Sequence, residues 1–379
     1  MKKTVAIVRC AAYKDTDVLE AVRKSVGLLG GIERFVKKGE RILIKPNLLA
    51  AKPVETAVTT HPAFVKAVIL LIKEAGATPV VGDSPGMGSA QKAAQKSGIL
   101  DICRETGAQL IELKELVIAE NPRGHTFRRL EVSKEALGFD GIINLPKLKT
   151  HVQMYLTLGV KNMFGCVPGK LKPQWHLSSG VDSKDFAGML LDLYYFLSPR
   201  LTIMDGVIAM EGNGPGSGDP RTLGLVFASE NAVAMDTVIA RVLGCKAENI
   251  PILKAAIGRG LKESDISNIA VCGESMESVL VHGFRFPPLT GVNFADRLPY
   301  FLDRHLRKAL TSRPHIDKAK CSLCKVCVEV CPPEVMSKSG QMIDINYDRC
   351  IRCYCCQEMC PQGAITPRQG WLKRAIPGL

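Results

Sequence analysis

Residues 321–332 read CSLCKVCVEVCP, and residues 350–361 read CIRCYCCQEMCP. In each run, two residues separate successive cysteines of a triplet, and a fourth cysteine follows three residues later, directly before a proline. Three thiolates on one tight loop can reach three irons of a cubane, but the fourth iron needs a cysteine from elsewhere. The two runs therefore decide the fold of the C-terminal segment, because that segment must wrap around iron–sulfur clusters.

The ligand sets follow from the two-cluster pattern, in which the fourth cysteine of each run crosses to the other cluster. Zinc is the alternative for four cysteines, but a zinc ribbon needs two pairs instead of two triplets. Cys355 breaks the spacing and is interpreted as a bystander thiol near a cluster. Residues 314–366 thus resemble a bacterial-type ferredoxin with two [4Fe-4S] clusters. The first cluster is assigned to Cys321, Cys324, Cys327 and Cys360, and the second to Cys350, Cys353, Cys356 and Cys331.

The rest of the chain is large enough to form a separate globular body. The 379 residues, 46% of them hydrophobic, predict two or three domains with a substantial core. The cysteines outside the two ligand sets show no disulfide framework, which is typical of a reducing compartment. These are Cys10, Cys103, Cys166, Cys245, Cys272 and Cys355.

The formal net charge of +13 narrows the choice of partners. A positive excess suits nucleic acid, an acidic membrane surface, an acidic redox partner or an anionic substrate. Nucleic acid is disfavoured, because aromatic residues make up only 6% of the chain and no basic stripe alternates with stacking residues. We therefore expect a soluble electron donor or acceptor protein and a small anionic substrate as partners.

The N-terminus, MKKTVAIVRC, has the charge of a signal peptide but not its apolar core. Its apolar stretch covers only residues 5–8, which is shorter than such a core requires and predicts a first strand instead. No apolar run approaches membrane-spanning length. These features predict a soluble, cytoplasmic protein.

Short β-branched runs alternate with helix-period stretches over the body, which predicts an α/β fold with a largely parallel sheet and helices on its faces. The predicted strands are residues 5–8, 41–44, 79–81, 110–113, 141–143, 201–204, 223–227 and 269–272. The predicted helices are residues 18–29, 63–74, 186–196, 232–243 and 252–257.

Polar groups directly follow four of the predicted strands. The segments are KPN at 45–47, GDSPG at 82–86, NLPKLKTH at 144–151 and DG at 205–206. Because parallel sheets bind ligands beyond the carboxyl ends of their strands, these groups are expected to meet at one edge. Lys161 lies among apolar neighbours, where an ammonium needs an anion. Lys170 and Lys172 are interpreted as surface residues, and Cys166 as inert packing.

The glycine-rich stretch at residues 212–218 fits no phosphate-binding fingerprint. It lacks the third glycine of a dinucleotide motif. A Walker lysine is also missing, because Gly165 to Gly169-Lys170 has only three intervening residues and is followed by Leu171. Two interpretations remain open: it cradles an anion through backbone N–H groups, or it is a mobile cover.

In the body, IKPNLL at 44–49, GDSPG at 82–86, NLPKLKTH at 144–151, GVKNMFG at 159–165 and DGVIAMEGNGPGSGDP at 205–220 resemble the family grouped as domain of unknown function 362. Proteins similar to this often carry a fused ferredoxin, as here. The resemblance implies motif positions but no particular reaction. The candidate catalytic residues are Lys45, Asn47, Asp83, Lys147, Lys149, His151, Lys161, Asn162, His176, Asp205 and Glu211.

The expected domain order is the α/β body at 1–283, a linker at 284–313, a small α+β ferredoxin domain at 314–367 and a tail at 368–379. Apolar residues at helical spacing between 294 and 310 predict an amphipathic helix that clamps the ferredoxin domain to the body; membrane binding is the alternative. The tail is expected to dock back similarly or to meet a partner.

The parts together suggest an iron–sulfur reductase. The candidate lysines would bind a carboxylate or phosphate, His151 or His176 would supply a proton, and the carboxylates would orient the lysines or hold a metal. Alternatively, His61, His151 and His176 with those carboxylates form a non-haem metal site. The sequence neither shows nor excludes a flavin. The competing class is a non-enzymatic electron carrier or assembly factor, whose lysines would form a flat, exposed docking patch.

Overall fold

The computed structural model describes residues 2–178, 183–288 and 312–370. The body strands are β1 Lys3–Arg9, β2 Arg41–Pro46, β3 Thr78–Asp83, β4 Gln109–Glu112, β5 Leu116–Glu120, β6 Arg129–Ser133, β7 Gly141–Leu145, β8 Lys147–His151, β9 Tyr155–Thr157, β10 Leu201–Glu211, β11 Asp219–Ser229 and β12 Ile269–Gly273. The body helices are α1 Asp15–Gly27, α2 Pro62–Glu74, α3 Ala90–Ser97, α4 Ile99–Thr106, α5 Lys134–Leu137, α6 Gly159–Asn162, α7 Lys172–Ser178, α8 Ser183–Leu197, α9 Ala232–Val242 and α10 Pro251–Gly258.

The main sheet is mixed and mostly parallel. Its strand order is β12-β1-β11-β10-β7-β2-β3-β4, and β8 and β9 extend it beside β10. Among the described pairings of this sheet, only those of β11 and β9 are antiparallel, and β5 and β6 form a separate antiparallel pair. Because β10, β7, β2 and β3 are adjacent and parallel, their carboxyl ends lie along one edge of the sheet.

Helices cover both faces of the sheet, because successive strand residues point to opposite sides. In β2, Ile42 and Ile44 belong to the core under α1 and α2, whereas Leu43 belongs to the core under α8 and α9. The strands are apolar on both faces, which is typical of a parallel sheet between helical layers. The layers of this α/β body therefore follow from the sequence pattern.

The start and end of α2 show how local sequence sets the helix boundaries. Pro62 occupies its first turn, and the His61 side chain accepts a hydrogen bond from the Ala63 N–H. The chain leaves the helix through Gly76 at φ 74°, a left-handed conformation that glycine adopts without a steric penalty. His61 thus has a structural task at the N-terminus of α2.

All eight predicted strands and all five predicted helices are present at their expected positions, with small boundary shifts except that β10 and β11 are several residues longer than predicted. The prediction was wrong for the segment after β7, which was expected to be a loop. Residues 147–151 form β8, because β10 continues through Glu211 and supplies a strand for β8 to pair with. Asp205 therefore lies within a strand and not beyond its end. Elements β5, β6, β9, α3, α4, α5, α6 and α7 were not predicted either.

The cysteine-rich domain, residues 312–370, contains two small antiparallel strand pairs. Arg313–Ile316 pairs with Ile365–Arg368, and Met336–Ser339 pairs with Met342–Ile345. Short helices at Val326–Glu329 and Cys355–Glu358 each follow a residue with left-handed backbone. The predicted amphipathic helix at 294–310 and most of the tail lie outside the described residues.

The glycine-rich stretch at 212–218 is a docking surface for the cysteine-rich domain. The Gln357 side-chain amide donates to the Asn213 carbonyl at 3.1 Å and the Gly214 carbonyl at 3.2 Å, and the Asn213 amide donates to the Ile365 carbonyl at 3.3 Å. A Cβ on Gly216 would lie 2.8 Å from the Glu358 carbonyl oxygen, so the close approach requires glycine there. The glycines allow two backbones to meet.

Candidate functional site

A pocket lies where the ends of β2 and β3 face the cysteine-rich domain. Its wall combines side chains of the body with side chains of the short helix Cys355–Glu358. The lining includes seven of the predicted site residues: Lys45, Asn47, Asp83, Lys149, Lys161, Asn162 and His176. The prediction that polar groups gather at one edge of the sheet therefore agrees with the geometry for this set.

Lys45 and Asp83 form a buried ion pair at the floor of the pocket, with 2.9 Å between Nζ and Oδ1. Asp83 also accepts the N–H groups of Leu48 at 2.6 Å and Ser84 at 2.7 Å. Lys45 donates in addition to the Pro46 carbonyl at 2.7 Å. Because both charges are compensated, this pair holds the ends of β2 and β3 together and adds no net charge to the pocket.

A chain of amides fixes the groups beside that pair. Asn144 Oδ1 accepts from Asn162 Nδ2 at 2.8 Å, and Asn162 Oδ1 accepts from Asn47 Nδ2 at 3.0 Å. Asn47 Oδ1 in turn accepts from Lys149 Nζ at 2.9 Å. These bonds determine which way each amide points, so Asn47 presents an oxygen to the ammonium group.

Lys149 is 1% exposed and has only neutral acceptors. Besides Asn47 Oδ1, it donates to the Val58 carbonyl at 2.7 Å. Burial lowers its pKa to about 7. A lysine in this environment is both an anion-binding group and a proton donor that titrates near neutral pH.

Lys161 and Lys172 add two more ammonium groups to the wall. Lys161 Nζ lies 5.4 Å from the centre of the Phe164 ring and 5.9 Å from that of Phe186, and burial lowers its pKa. Lys172 donates to the Ser84 carbonyl, and burial lowers its pKa to about 8. Within the described part of the chain neither lysine forms an ion pair. The expectation that Lys172 is a surface residue disagrees with its place in the pocket wall.

Two histidines beside the pocket are held neutral. Burial lowers the pKa of His151 to about 4 and that of His176 to about 3. His151 Nδ1 accepts the N–H groups of Gln153 and Met154, each at 3.2 Å, so its proton is on Nε2, 3.6 Å from Glu358 Oε2. His176 stacks on Phe186 at 4.1 Å, and its buried Nδ1 has no partner among the described residues.

The cysteine-rich domain holds two cavities, each ringed by four cysteines. Cys321, Cys324, Cys327 and Cys360 line one, and Cys331, Cys350, Cys353 and Cys356 line the other. The sulfur of the fourth cysteine in each run accepts a hydrogen bond from a backbone N–H group four residues later. Val335 donates to Cys331 at 3.4 Å, and Ala364 donates to Cys360 at 3.3 Å. Four thiols around a space are the donor set that an iron–sulfur cubane requires, so the residues fit such a group.

Comparison with known proteins decides the family. Residues 42–241 match "Domain of unknown function (DUF362)", and residues 313–361 match "4Fe-4S dicluster domain". A thylakoid-associated protein of Synechocystis sp. is 41% identical over 261 residues, covering 69% of this chain and 81% of that protein. The chain belongs to the DUF362 family.

A looser likeness links the DUF362 chain to a solved structure, the lactate racemase apoprotein from Thermoanaerobacterium thermosaccharolyticum. The TM-score is 0.40 at 13% identity, and the match covers 62% of this chain and 56% of that one. The chain thus spans just over half the length of that structure. Among the described residues, no helix is both long and apolar enough to cross a membrane.

Two of the predicted residues of the DUF362 motifs, Lys147 and Asp205, form a separate buried network. Lys147 Nζ lies 2.9 Å from Asp205 Oδ2 and donates to the Tyr13 hydroxyl at 2.7 Å. The Tyr13 hydroxyl donates to Asp205 Oδ1 at 2.5 Å, and the Tyr13 ring stacks on His61 at 3.6 Å. All of these charges are paired, so the network joins the loop after β1 to β8 and β10.

Glu211 also lies outside the pocket. Its carboxylate pairs with Arg285, at 2.7 Å from Nε, and accepts the Arg285 N–H at 3.0 Å. Across residues 2–178, 183–288 and 312–370, no three His, Cys, Asp or Glu side chains are arranged to hold a single metal ion. The proposed histidine–carboxylate metal site therefore has no support among these residues, since His61, His151 and His176 each make other contacts.

Sequence reasoning missed the contribution of the cysteine-rich domain to the pocket. Glu358, Cys355, Met359 and Val330 form part of its wall. Cys355 is buried and lies two residues after the ring cysteine Cys353. The extra cysteine in the second run was the only available signal, and its departure from the spacing marks the residue that faces the pocket.

Proposed function

We propose that this DUF362 protein is an iron–sulfur oxidoreductase, acting as a reductase on a small anionic substrate bound in the pocket between the body and the cysteine-rich domain. One observation carries the proposal. The helix Cys355–Glu358 provides Cys355 and Glu358 to the pocket wall, while its Cys356 belongs to a cysteine ring. Substrate and electron source would thus share one short helix.

The two cysteine rings would hold two [4Fe-4S] clusters, with Cys321, Cys324, Cys327 and Cys360 on one and Cys331, Cys350, Cys353 and Cys356 on the other. When bound, the clusters supply one-electron oxidation and reduction. A low-potential one-electron carrier protein would be the donor, giving two electrons in single transfers.

The residues of this chain would bind the substrate and provide protons. Lys149 and Lys161 bind its anionic groups and stabilise negative charge that develops on reduction. Lys149 Nζ donates one of the two protons that a two-electron reduction needs, and solvent supplies the second. The prediction that a histidine supplies the proton is revised, because burial keeps His151 and His176 neutral with pKa values of about 4 and 3.

The competing function, a docking patch on an electron carrier, requires flat and exposed lysines. Lys45 and Lys149 are 1% exposed and Lys161 is 7% exposed, and all three line a concave pocket. This burial supports an enzyme. No observation favours a flavin.

We also infer a reducing, cytoplasmic location, because none of the fourteen cysteines forms a disulfide in the structure. The Synechocystis relative is named for its association with thylakoids. A positively charged chain is compatible with peripheral binding to an anionic membrane, so fractionation of the native host would distinguish the two locations.

The test begins with protein purified without oxygen. About eight irons and matching sulfide per chain are expected, with a paramagnetic signal after dithionite reduction. The reduced protein is then mixed with small carboxylates and phosphate esters, and reoxidation is followed by visible absorbance. Lys149→Ala should keep its iron and lose turnover; a colourless preparation, or unchanged turnover in the variant, contradicts the proposal.

A further inference from the structure

The charges in the pocket wall do not balance. Lys45, Lys149, Lys161 and Lys172 are its ammonium groups, and Asp83 and Glu358 are its carboxylates. Asp83 is committed to Lys45 at 2.9 Å. Glu358 Oε2 lies 3.6 Å from Nε2 of neutral His151, and its negative charge opposes the lowering of the pKa of Lys149 and of Lys161 by burial. With all four lysines protonated, two positive charges therefore lack a counterion among the described residues.

Burying an uncompensated ammonium group is costly, and proteins normally place an anion beside it. The hydrogen-bond partners of Lys149 are both neutral, and the surroundings of Lys161 are aromatic rings. Since the imbalance is concentrated in a cavity, a bound molecule of matching charge would compensate it.

The rest of the wall limits the shape of that molecule. Leu48, Leu49, Phe164, Val330 and Met359 give the cavity an apolar lining between the charged groups. An apolar lining suits a carbon skeleton, whereas a fully hydrated inorganic ion would leave it uncovered. The orphaned His176 Nδ1 is a further polar atom beside the cavity that lacks a partner among the described residues.

We propose that the pocket binds a dianion built on a short carbon skeleton, either a dicarboxylate or a phosphate ester, with Lys149 and Lys161 as the anion-binding groups. This inference rests on the proposed function only for the role of the ligand as substrate, because the charge imbalance exists without any electron transfer. An anion beside Lys149 also favours its protonated form, so binding is coupled to proton uptake near neutral pH.

Calorimetric titration of the anaerobic holoprotein tests the inference. The probes are succinate, glycerol 3-phosphate and acetate, the last being a monoanion with the same headgroup as succinate. At least one of the two dianions should bind ten or more times more tightly than acetate, and the stronger of the two identifies the headgroup. Repeating the titration at pH 7 in buffers of different ionisation enthalpy should show uptake of about half a proton per ligand.

Lys149→Met and Lys161→Met should each weaken dianion binding at least tenfold, while the exposed Lys246→Met is the matched control and should bind as the wild type does. Iron content of each variant checks that it has folded. Equal affinity for acetate and the dianions, or no binding of any probe to the wild type, would overturn the inference and leave the lysines as counterions of the cluster. Tight binding of succinate or glycerol 3-phosphate, with no reoxidation of reduced protein by the oxidised counterparts fumarate and dihydroxyacetone phosphate, would instead refute the reductase and leave the binding site intact.

Discussion

Replacing Lys149 with methionine gives a direct test of whether a buried, uncompensated charge is present. Lys149 is 1% exposed, and folding lowers its pKa from 10.5 to about 7 through burial. Between these two values the unfolded chain binds more protons than the folded one, so this group makes the folded state more stable as the pH rises. Compared with a lysine whose pKa stays at 10.5 on folding, Lys149 lowers the free energy of unfolding by on the order of 4 kcal/mol at pH 7 and by about half of that at pH 9.

The substitution removes that cost but introduces another. Asn47 Oδ1 and the Val58 carbonyl, which accept from Lys149 at 2.9 and 2.7 Å, would lose their donor. An unsatisfied buried acceptor costs about 1–3 kcal/mol. The two effects oppose each other at pH 7, so the reliable quantity is the change with pH: relative to the wild type, the variant should become less stable by about 2 kcal/mol between pH 7 and pH 9.

Urea unfolding of anaerobic protein at the two pH values provides the measurement, with the free energy of unfolding compared between variant and wild type. Lys246→Met, at an exposed position, should show no pH-dependent difference. A difference between Lys149→Met and the wild type that is the same at pH 7 and pH 9 would refute the reasoning, because it would mean that Lys149 titrates as an ordinary exposed lysine does.

Two further predictions concern the cysteine-rich domain. Gln357→Ala removes the amide that donates to the Asn213 and Gly214 carbonyls, so the contact should weaken by about 1–3 kcal/mol. Hydrogen exchange at residues 212–218 should accelerate while the iron content stays the same, and unchanged exchange would show that this amide does not hold the domain in place. Cys355→Ala removes a buried thiol between the ring cysteines Cys353 and Cys356, so the reduction potential of the adjacent cluster should change by on the order of 50 mV with eight irons retained. Loss of half the iron would instead identify Cys355 as a ligand.

The layered fold was predictable because β2 and its neighbours are apolar on both faces, so their pattern stands out from the polar chain around them. The elements that were missed lack this contrast. In β5 every second residue is exposed, and β8 contains Lys147 and Lys149, which resemble a loop in the sequence. Residues 147–151 form a strand because β10 continues past its irregularity at residues 206–208 and pairs with them. The sequence of β8 alone does not indicate this pairing with a distant segment.

The candidate site was partly predictable for the same reason. Parallel strands end at one edge, which correctly grouped Lys45 and Asp83. The strand continuation that created β8 placed Lys147 in a different network from Lys149, although the two residues are close in sequence. Glu211 was assigned to the site from its motif, yet its partner is Arg285, far along the chain. Such long-range pairs have no signature in a single sequence.

The strongest argument that the pocket is functional is that its buried lysines lower the stability of the folded protein. A methionine or leucine in place of Lys161 would fill the space between Phe164 and Phe186 without burying a charge, and replacing buried charges by packed apolar residues is often neutral or stabilising. Packing therefore does not explain the lysine. The cysteine-rich domain then closes over this unfavourable group and brings a single carboxylate, Glu358, which compensates only part of the positive charge. A fold that excludes water from surplus cations, and does so with the domain that carries the cysteine rings, is the arrangement that the proposed anion site requires.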